Sequence, residues 1–253
     1  MNKRLLGFAK RNFLEIVREP LSLVFCLIFP IVLLLVFKLI TMNISSESLE
    51  QLYQFKLESL VPSIAVFGFS FLTLFSGMLI AKDRYSSFLN RLKVSPMKGS
   101  DFIIGYLLPL IPIAIVQVIL TYIVGFILGL KFSLSLLLSI VFMIPIALIF
   151  ICFGLLFGIY FSDKAIGGIS SLLINFSAIF SGMFMPIETM GETILTIAKI
   201  FPFYNSLRVI RSVILGTYQN DLFLYPLLIV LGYLIILLVL TIILFKANLK
   251  KSR

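Results

Sequence analysis

Apolar residues gather along this chain in six long runs, 21–40, 61–81, 102–130, 132–161, 165–185 and 222–245, separated by shorter polar stretches. A bilayer core of roughly 30 Å takes about 20 helical residues to cross, so each run is long enough for one span. Only Lys38 breaks their charge-free interiors, and it lies near the end of its run, where its stem follows apolar surface while its ammonium reaches the headgroups. The pattern predicts an all-α integral membrane protein with six transmembrane helices in a single membrane domain. The third and fourth runs are longer than a straight span needs and carry Pro109, Pro112 and Pro145, so tilt or kinks are expected there.

The polar stretches have patterns of their own. Over residues 1–20, Leu6, Ala9, Phe13, Ile16 and Val17 recur at helical spacing, while Lys3, Arg4, Lys10, Arg11, Glu15 and Arg18 fill most of the remaining arc. This predicts an amphipathic interfacial helix, with Phe13, Arg18 and Glu19 as its candidate residues and Pro20 turning the chain into the first span. In the loop 82–101, Phe88, Leu89 and Leu92 group at helical spacing among Arg84, Arg91 and Lys93, and Ser95-Pro96 ends the pattern. A short helix there would present an apolar knob to the groove of a partner.

In the fifth run, Gly168, Ser171, Asn175, Ala178 and Gly182 form a small or polar stripe that should face protein or water, as a helix interface or a substrate path. Packing alone also explains such a stripe, and Gly125-x-x-x-Gly129 and Gly154-x-x-x-Gly158 are weaker signals of the same kind. The segment 186–221 is too interrupted to span yet rich in Phe, Ile and Leu, which predicts an outer cap of short interfacial or re-entrant helices.

Composition agrees with the runs: 60% of residues are hydrophobic, 13% are charged and the mean hydropathy is +1.15. The net charge of +10 raises nucleic acid as a partner, and its placement argues against one. With both termini cytoplasmic, only Lys38, Lys56, Lys131, Lys199, Arg208 and Arg211 fall on or toward the outer side, and every other Lys and Arg falls inside. The acids divide almost evenly, so the whole excess marks the cytoplasmic face and its anionic lipid.

The chain has no histidine, and its two cysteines, Cys26 and Cys152, sit in separate apolar runs, which leaves no clustered metal site or disulfide framework. The basic start resembles a signal peptide, but the run 21–40 is too long for one and reads as a retained helix. No G-x-x-x-x-G-K-[ST] phosphate loop occurs, so ATP is not expected to bind this chain by that route, and any such energy must come from a separate chain. Charge-free span interiors argue against an intramembrane proton relay.

Lys82-Asp83-Arg84 followed by Phe88-Leu89-Asn90-Arg91-Leu92-Lys93-Val94-Ser95-Pro96 resembles the cytoplasmic coupling helix of type-2 ABC exporter permeases, with its V-S-P-like end. Ser181 to Glu188, followed by Phe201-Pro202 and Arg208, resembles that family's fifth helix leading into an extracellular re-entrant segment, which makes Phe184, Pro186, Glu188 and Arg208 candidate cap residues. The chain departs from the family pattern at Ser87-Phe88, where many members have Gly-Thr, and at Asn90, where many have Glu.

The resemblance implies two permease chains, as a homodimer or related heterodimer, on two cytoplasmic ATPase chains that hold the ATP and Mg. It implies ATPase contacts through the interfacial helix and through the coupling residues Arg84, Phe88, Leu89, Arg91 and Leu92, and a permease interface near the first and fifth helices. The expected cargo is an amphipathic or lipid-like molecule, such as a drug, antimicrobial peptide, lipid or glycoconjugate, exported across a bacterial cell membrane. The alternatives are an intramembrane lipid-modifying enzyme roofed by the outer segment and, less favoured for want of intramembrane charge, a secondary transporter. The enzyme reading lacks a catalytic set, since Glu188 and Glu192 read as an exposed acidic face.

Overall fold

The computed structural model describes residues 3–42, 53–86 and 97–251, and no strand occurs among them. The first helix, α1 (Lys3–Arg18), leads at Pro20 into α2 (Pro20–Thr41). The bundle continues with α3 (Leu57–Arg84), α4 (Gly99–Ile127), α5 (Leu134–Tyr160) and α6 (Asp163–Phe180). Two short helices, α7 (Glu192–Ile200) and α8 (Pro202–Leu215), precede the final long helix α9 (Asn220–Asn248). Among the described residues, α2, α3, α4, α5 and α9 are the helices long and apolar enough to cross a membrane.

The helix α6 differs from these five in composition, because Gly, Ser and Asn dilute its Ile, Leu and Phe. Its 18 residues measure about 27 Å along the axis. It starts just after α5, where Arg84 donates to the Gly158 and Phe161 carbonyls at 2.8 and 3.3 Å. Beyond its other end, Arg211 of α8 donates to the Gly182 carbonyl at 3.2 Å and to Ser63 Oγ near the start of α3 at 3.4 Å. It therefore runs the full height of the bundle alongside α3. The helix stops at Phe180 rather than continuing to 185, because the chain turns through Gly182 at φ +73, a conformation a β-carbon disfavours.

Prolines shape the spans in two ways. Pro30 and Pro226 cannot donate to the preceding turn, and in both cases the chain inserts a five-residue π turn just upstream, Val24–Ile28 and Asn220–Leu224. The α4 helix breaks at Leu108–Pro109, as the sequence predicts, whereas Pro145 is accommodated within an unbroken α5.

Close approach sets the middle of the bundle. The α3 window is 83% buried, against 17% for α2 and for α9, so α3 is the central staff and α2 and α9 are peripheral. On α5, a β-carbon at Gly154 would lie 2.0 Å from Ser76 Oγ and 2.1 Å from the Thr73 carbonyl, and one at Gly158 would lie 2.5 Å from the Gly77 carbonyl. That proximity lets Thr73 Oγ1 donate to the Phe150 carbonyl at 2.9 Å and Ser76 Oγ to the Ile151 carbonyl at 3.1 Å. The Gly154-x-x-x-Gly158 motif of the sequence thus marks a close-packed seam between α3 and α5.

Candidate functional site

The end of the bundle that carries α1 is built around three consecutive residues at the close of α3. Lys82 Nζ pairs with Glu19 Oε1 at 2.9 Å, tying α3 to the α1–α2 junction, where Ser22 Oγ also donates to Glu19 Oε2 at 3.1 Å. Asp83, only 1% exposed, receives Arg11 Nη1 of α1 at 2.7 Å and the Tyr106 hydroxyl of α4 at 2.8 Å on the same carboxylate oxygen. Arg84 caps the last carbonyls of α5. Each residue therefore fastens a different element to one point, immediately before the stretch 87–96. The predicted coupling residues Phe88, Leu89, Arg91 and Leu92 lie outside the described residues, and Arg84 is the one the structure places.

The helix α1 grips the bundle by an arc the sequence pattern did not pick out. The pattern pointed to Leu6, Ala9, Phe13, Ile16 and Val17 as one apolar arc, but the buried residues are Leu5, Phe8, Ala9, Asn12 and Ile16. Leu6, Phe13 and Val17 stay exposed beside them as a second apolar arc. Asn12, which belongs to neither arc of the sequence pattern, sits in the gripping face and donates to the Gly105 carbonyl at 3.0 Å. Phe8 stands edge-on to Tyr106 and Phe102, with ring centroids 5.0 and 5.9 Å away. Gly105 is required there, since a β-carbon on it would lie 2.3 Å from the Phe8 ring.

Electrostatics hold the arrangement. Burial lowers the Arg11 pKa, but the hydrogen bond and charge of Asp83 outweigh it and the guanidinium ends above its ordinary value. Glu15 is raised, with burial the first cause and the opposing charge of Arg11 the second, although Arg11 pairs with it at 2.8 Å. Arg11, Leu14, Glu15, Arg18, Glu19, Pro20 and Lys82 line a cleft of about 590 Å³ beneath α1. Sequence reasoning singled out Arg18 and Glu19, named Arg11, Lys82 and Asp83 only as parts of the basic arc and of the coupling-helix resemblance, and missed Asn12 and Tyr106 altogether. The available signal was Asp83 itself, an acid set between two bases where an apolar run ends.

The stripe of the fifth run is not used for packing within this chain. Gly168, Ser171 and Asn175 are exposed, Ala178 is half-buried, and only Gly182 is buried, in the turn beyond the helix rather than on its face. A β-carbon at Gly167 or Gly168 would meet nothing within 4 Å. The Asn175 amide donates to its own helix at the Ser171 carbonyl, 2.8 Å away.

The opposite end carries α7 and α8. Phe184 stacks on Phe37 with ring centroids 5.5 Å apart, and Pro186 caps a 3₁₀ turn, Ile187–Met190. Glu188 accepts the Tyr204 hydroxyl at 2.6 Å, and the Arg208 guanidinium lies 5.5 Å from the Tyr204 ring centroid. Burial, and then the hydrogen bond to Glu188, pushes the Tyr204 hydroxyl up to about 12, so it stays a donor. Arg211, which sequence reasoning did not single out, links the cap to α3 and to the turn at Gly182.

Several membrane-length helices, with α1 strapped across one end of the bundle and no separate non-membrane domain among the described residues, define a multi-pass membrane protein. The ABC-2 type transporter family model matches residues 4–215, and the chain belongs to that family. Members of this family are membrane components of transporters, so the chain is not itself an enzyme. No curated protein matches it.

Proposed function

We propose that this chain is the permease of an ATP-driven exporter in a cell membrane, with six spans, both termini cytoplasmic, and α7 and α8 forming a re-entrant outer cap. ATP and Mg sit on a separate cytoplasmic ATPase chain, and the cargo is amphipathic or lipid-like. The observation that carries the reading is the fastening of α1, α4 and α5 to Lys82-Asp83-Arg84. A push on the adjoining stretch 87–96 reaches three elements at once through short, partly buried contacts, as an energy-coupling point requires.

Replacing Phe88, Leu89 and Leu92 with Asp tests this. Co-purification with the ATPase, and the stimulation of hydrolysis by candidate substrates in reconstituted vesicles, should both fall at least about tenfold as an apolar contact becomes charged. Unchanged values for both would overturn the coupling role.

The open face Gly168, Ser171, Asn175 supports a second permease copy as its cover, because small residues let membrane helices approach closely and an amide is costly against lipid. Gly168→Leu should therefore lower the dimer fraction in micelles by about tenfold, read by cross-linking or mass measurement, while leaving the thermal midpoint of the monomer unchanged. A dimer fraction equal to that of the unsubstituted chain would remove this face from the interface.

A further inference from the structure

At the cap end, α7, α8 and the first turns of α9 enclose a cleft of about 480 Å³ that none of the packing described above explains. Its charged lining comprises Lys199, Arg208, Glu188 and Asp221. Among the described residues no ion pair links these four. Glu188 is oriented by the Tyr204 hydroxyl, and Arg208 is held against the Tyr204 ring. Asn205, which also lines the cleft, spends its amide protons on the Lys199 and Phe201 carbonyls at 2.7 and 2.8 Å, fixing the corner between α7 and α8.

The other wall is apolar: Leu195 faces Tyr225, Pro226 and Ile229 of α9. From Tyr225 an exposed strip continues along α9 through Leu228, Leu231 and Ile235, at spacings of three or four residues. The cleft thus sits at the start of a helix of membrane length, the level at which headgroups meet a spanning helix, with an apolar track leading away from it. Two cations and two carboxylates that form no ion pair among themselves give zero net charge, which suits a ligand carrying both signs better than a simple anion. A phosphate would meet Lys199 and Arg208, an ammonium would meet Glu188 and Asp221, and an acyl chain would follow the strip on α9.

We propose that this cleft holds the headgroup of a zwitterionic phospholipid of the phosphoethanolamine type. Bound there, the lipid would wedge between the cap and α9 and make the cap's position sensitive to bilayer composition. Its assignment to the outer leaflet rests on the topology proposed above; the binding chemistry does not.

The chain has no tryptophan, so a single introduced one reports local lipid without background. Leu228→Trp places it beside the cleft, and Ile243→Trp, toward the other end of the same helix, places it beyond the strip. Both are reconstituted in symmetric vesicles containing brominated phosphatidylethanolamine, brominated phosphatidylglycerol or a brominated diglucosyl diacylglycerol, and quenching is measured. Symmetry of the vesicles makes the readout independent of orientation, so failure here is distinct from failure of the topology.

Quenching at Leu228→Trp should show phosphatidylethanolamine enriched about fivefold over its bulk fraction, with smaller enrichment of the other two lipids. At Ile243→Trp all three should follow bulk. Adding Lys199→Gln with Arg208→Gln should abolish the enrichment, and Arg208→Lys should keep it. Bulk-level quenching at Leu228→Trp, equal or greater enrichment of phosphatidylglycerol, or enrichment that survives the double substitution would each overturn the proposal. The lipid comparison in the reporter chain decides the matter even where the double variant fails to fold.

Discussion

Gly154→Val should cost the bundle about 3 kcal/mol, seen as a marked fall in thermal midpoint in detergent micelles. The new side chain would start 2.0 Å from Ser76 Oγ and 2.1 Å from the Thr73 carbonyl, and the second of these is backbone in the most buried helix. Nothing local can move aside, so α3 and α5 must separate. Separation would break the hydrogen bonds from Thr73 to Phe150 and from Ser76 to Ile151, each worth about 0.6 kcal/mol between membrane helices. The cysteines offer a direct readout: Cys26 and Cys152 are 1% and 0% exposed, so a thiol-reactive dye labels them only as the fold opens. Labelling at an unchanged temperature would contradict the seam. Gly168→Ala is the control, since its β-carbon meets nothing within 4 Å and the midpoint should not fall.

The same contrast shows what was legible in the sequence. Hydrophobic run length located the five helices of membrane length, because crossing a bilayer imposes a minimum apolar length that side-chain detail cannot hide. Proline placed the break in α4, but it gave no warning that Pro145 would sit inside an unbroken helix, where the neighbouring packing absorbs it. Small-residue spacing shows that two helices could approach closely without showing which ones do. Gly154 and Gly168 look alike in sequence, yet one is pressed against α3 and the other faces nothing in this chain.

The face of α1 was misjudged for a related reason. Counting apolar residues treats Asn12 as solvent-facing, whereas one amide satisfied by the Gly105 carbonyl is compatible with burial and shifts the gripping arc sideways. The basic residues of α1 read as a lipid-facing arc for the same reason. That Arg11 turns inward depends on an acid 72 positions away, a pairing that no local periodicity contains.

Asp83→Ala should then have the largest effect at the α1 end. It removes the acceptor shared by Arg11 and Tyr106 and leaves a buried hydroxyl and a half-buried guanidinium without their carboxylate. Breaking a buried ion pair from one side costs about 3–5 kcal/mol, and the 36% exposure of the Arg11 side chain places this case near the lower bound. Asp83→Asn keeps an acceptor for the Tyr106 hydroxyl while removing the charge, so its cost should be about 1–2 kcal/mol. The dye assay at Cys26 and Cys152 orders the two variants. A second measurement separates a local from a global effect: limited proteolysis within α1, where Lys3, Arg4 and Lys10 already face outward, should accelerate in Asp83→Asn before the thiols become accessible. If α1 is released while the rest of the bundle stays closed, Asp83 acts as the latch that joins α1 to the end of α3. Proteolysis and thiol labelling that rise together would instead make it an ordinary core contact, and the fastening point would lose its standing as a place where motion is transmitted.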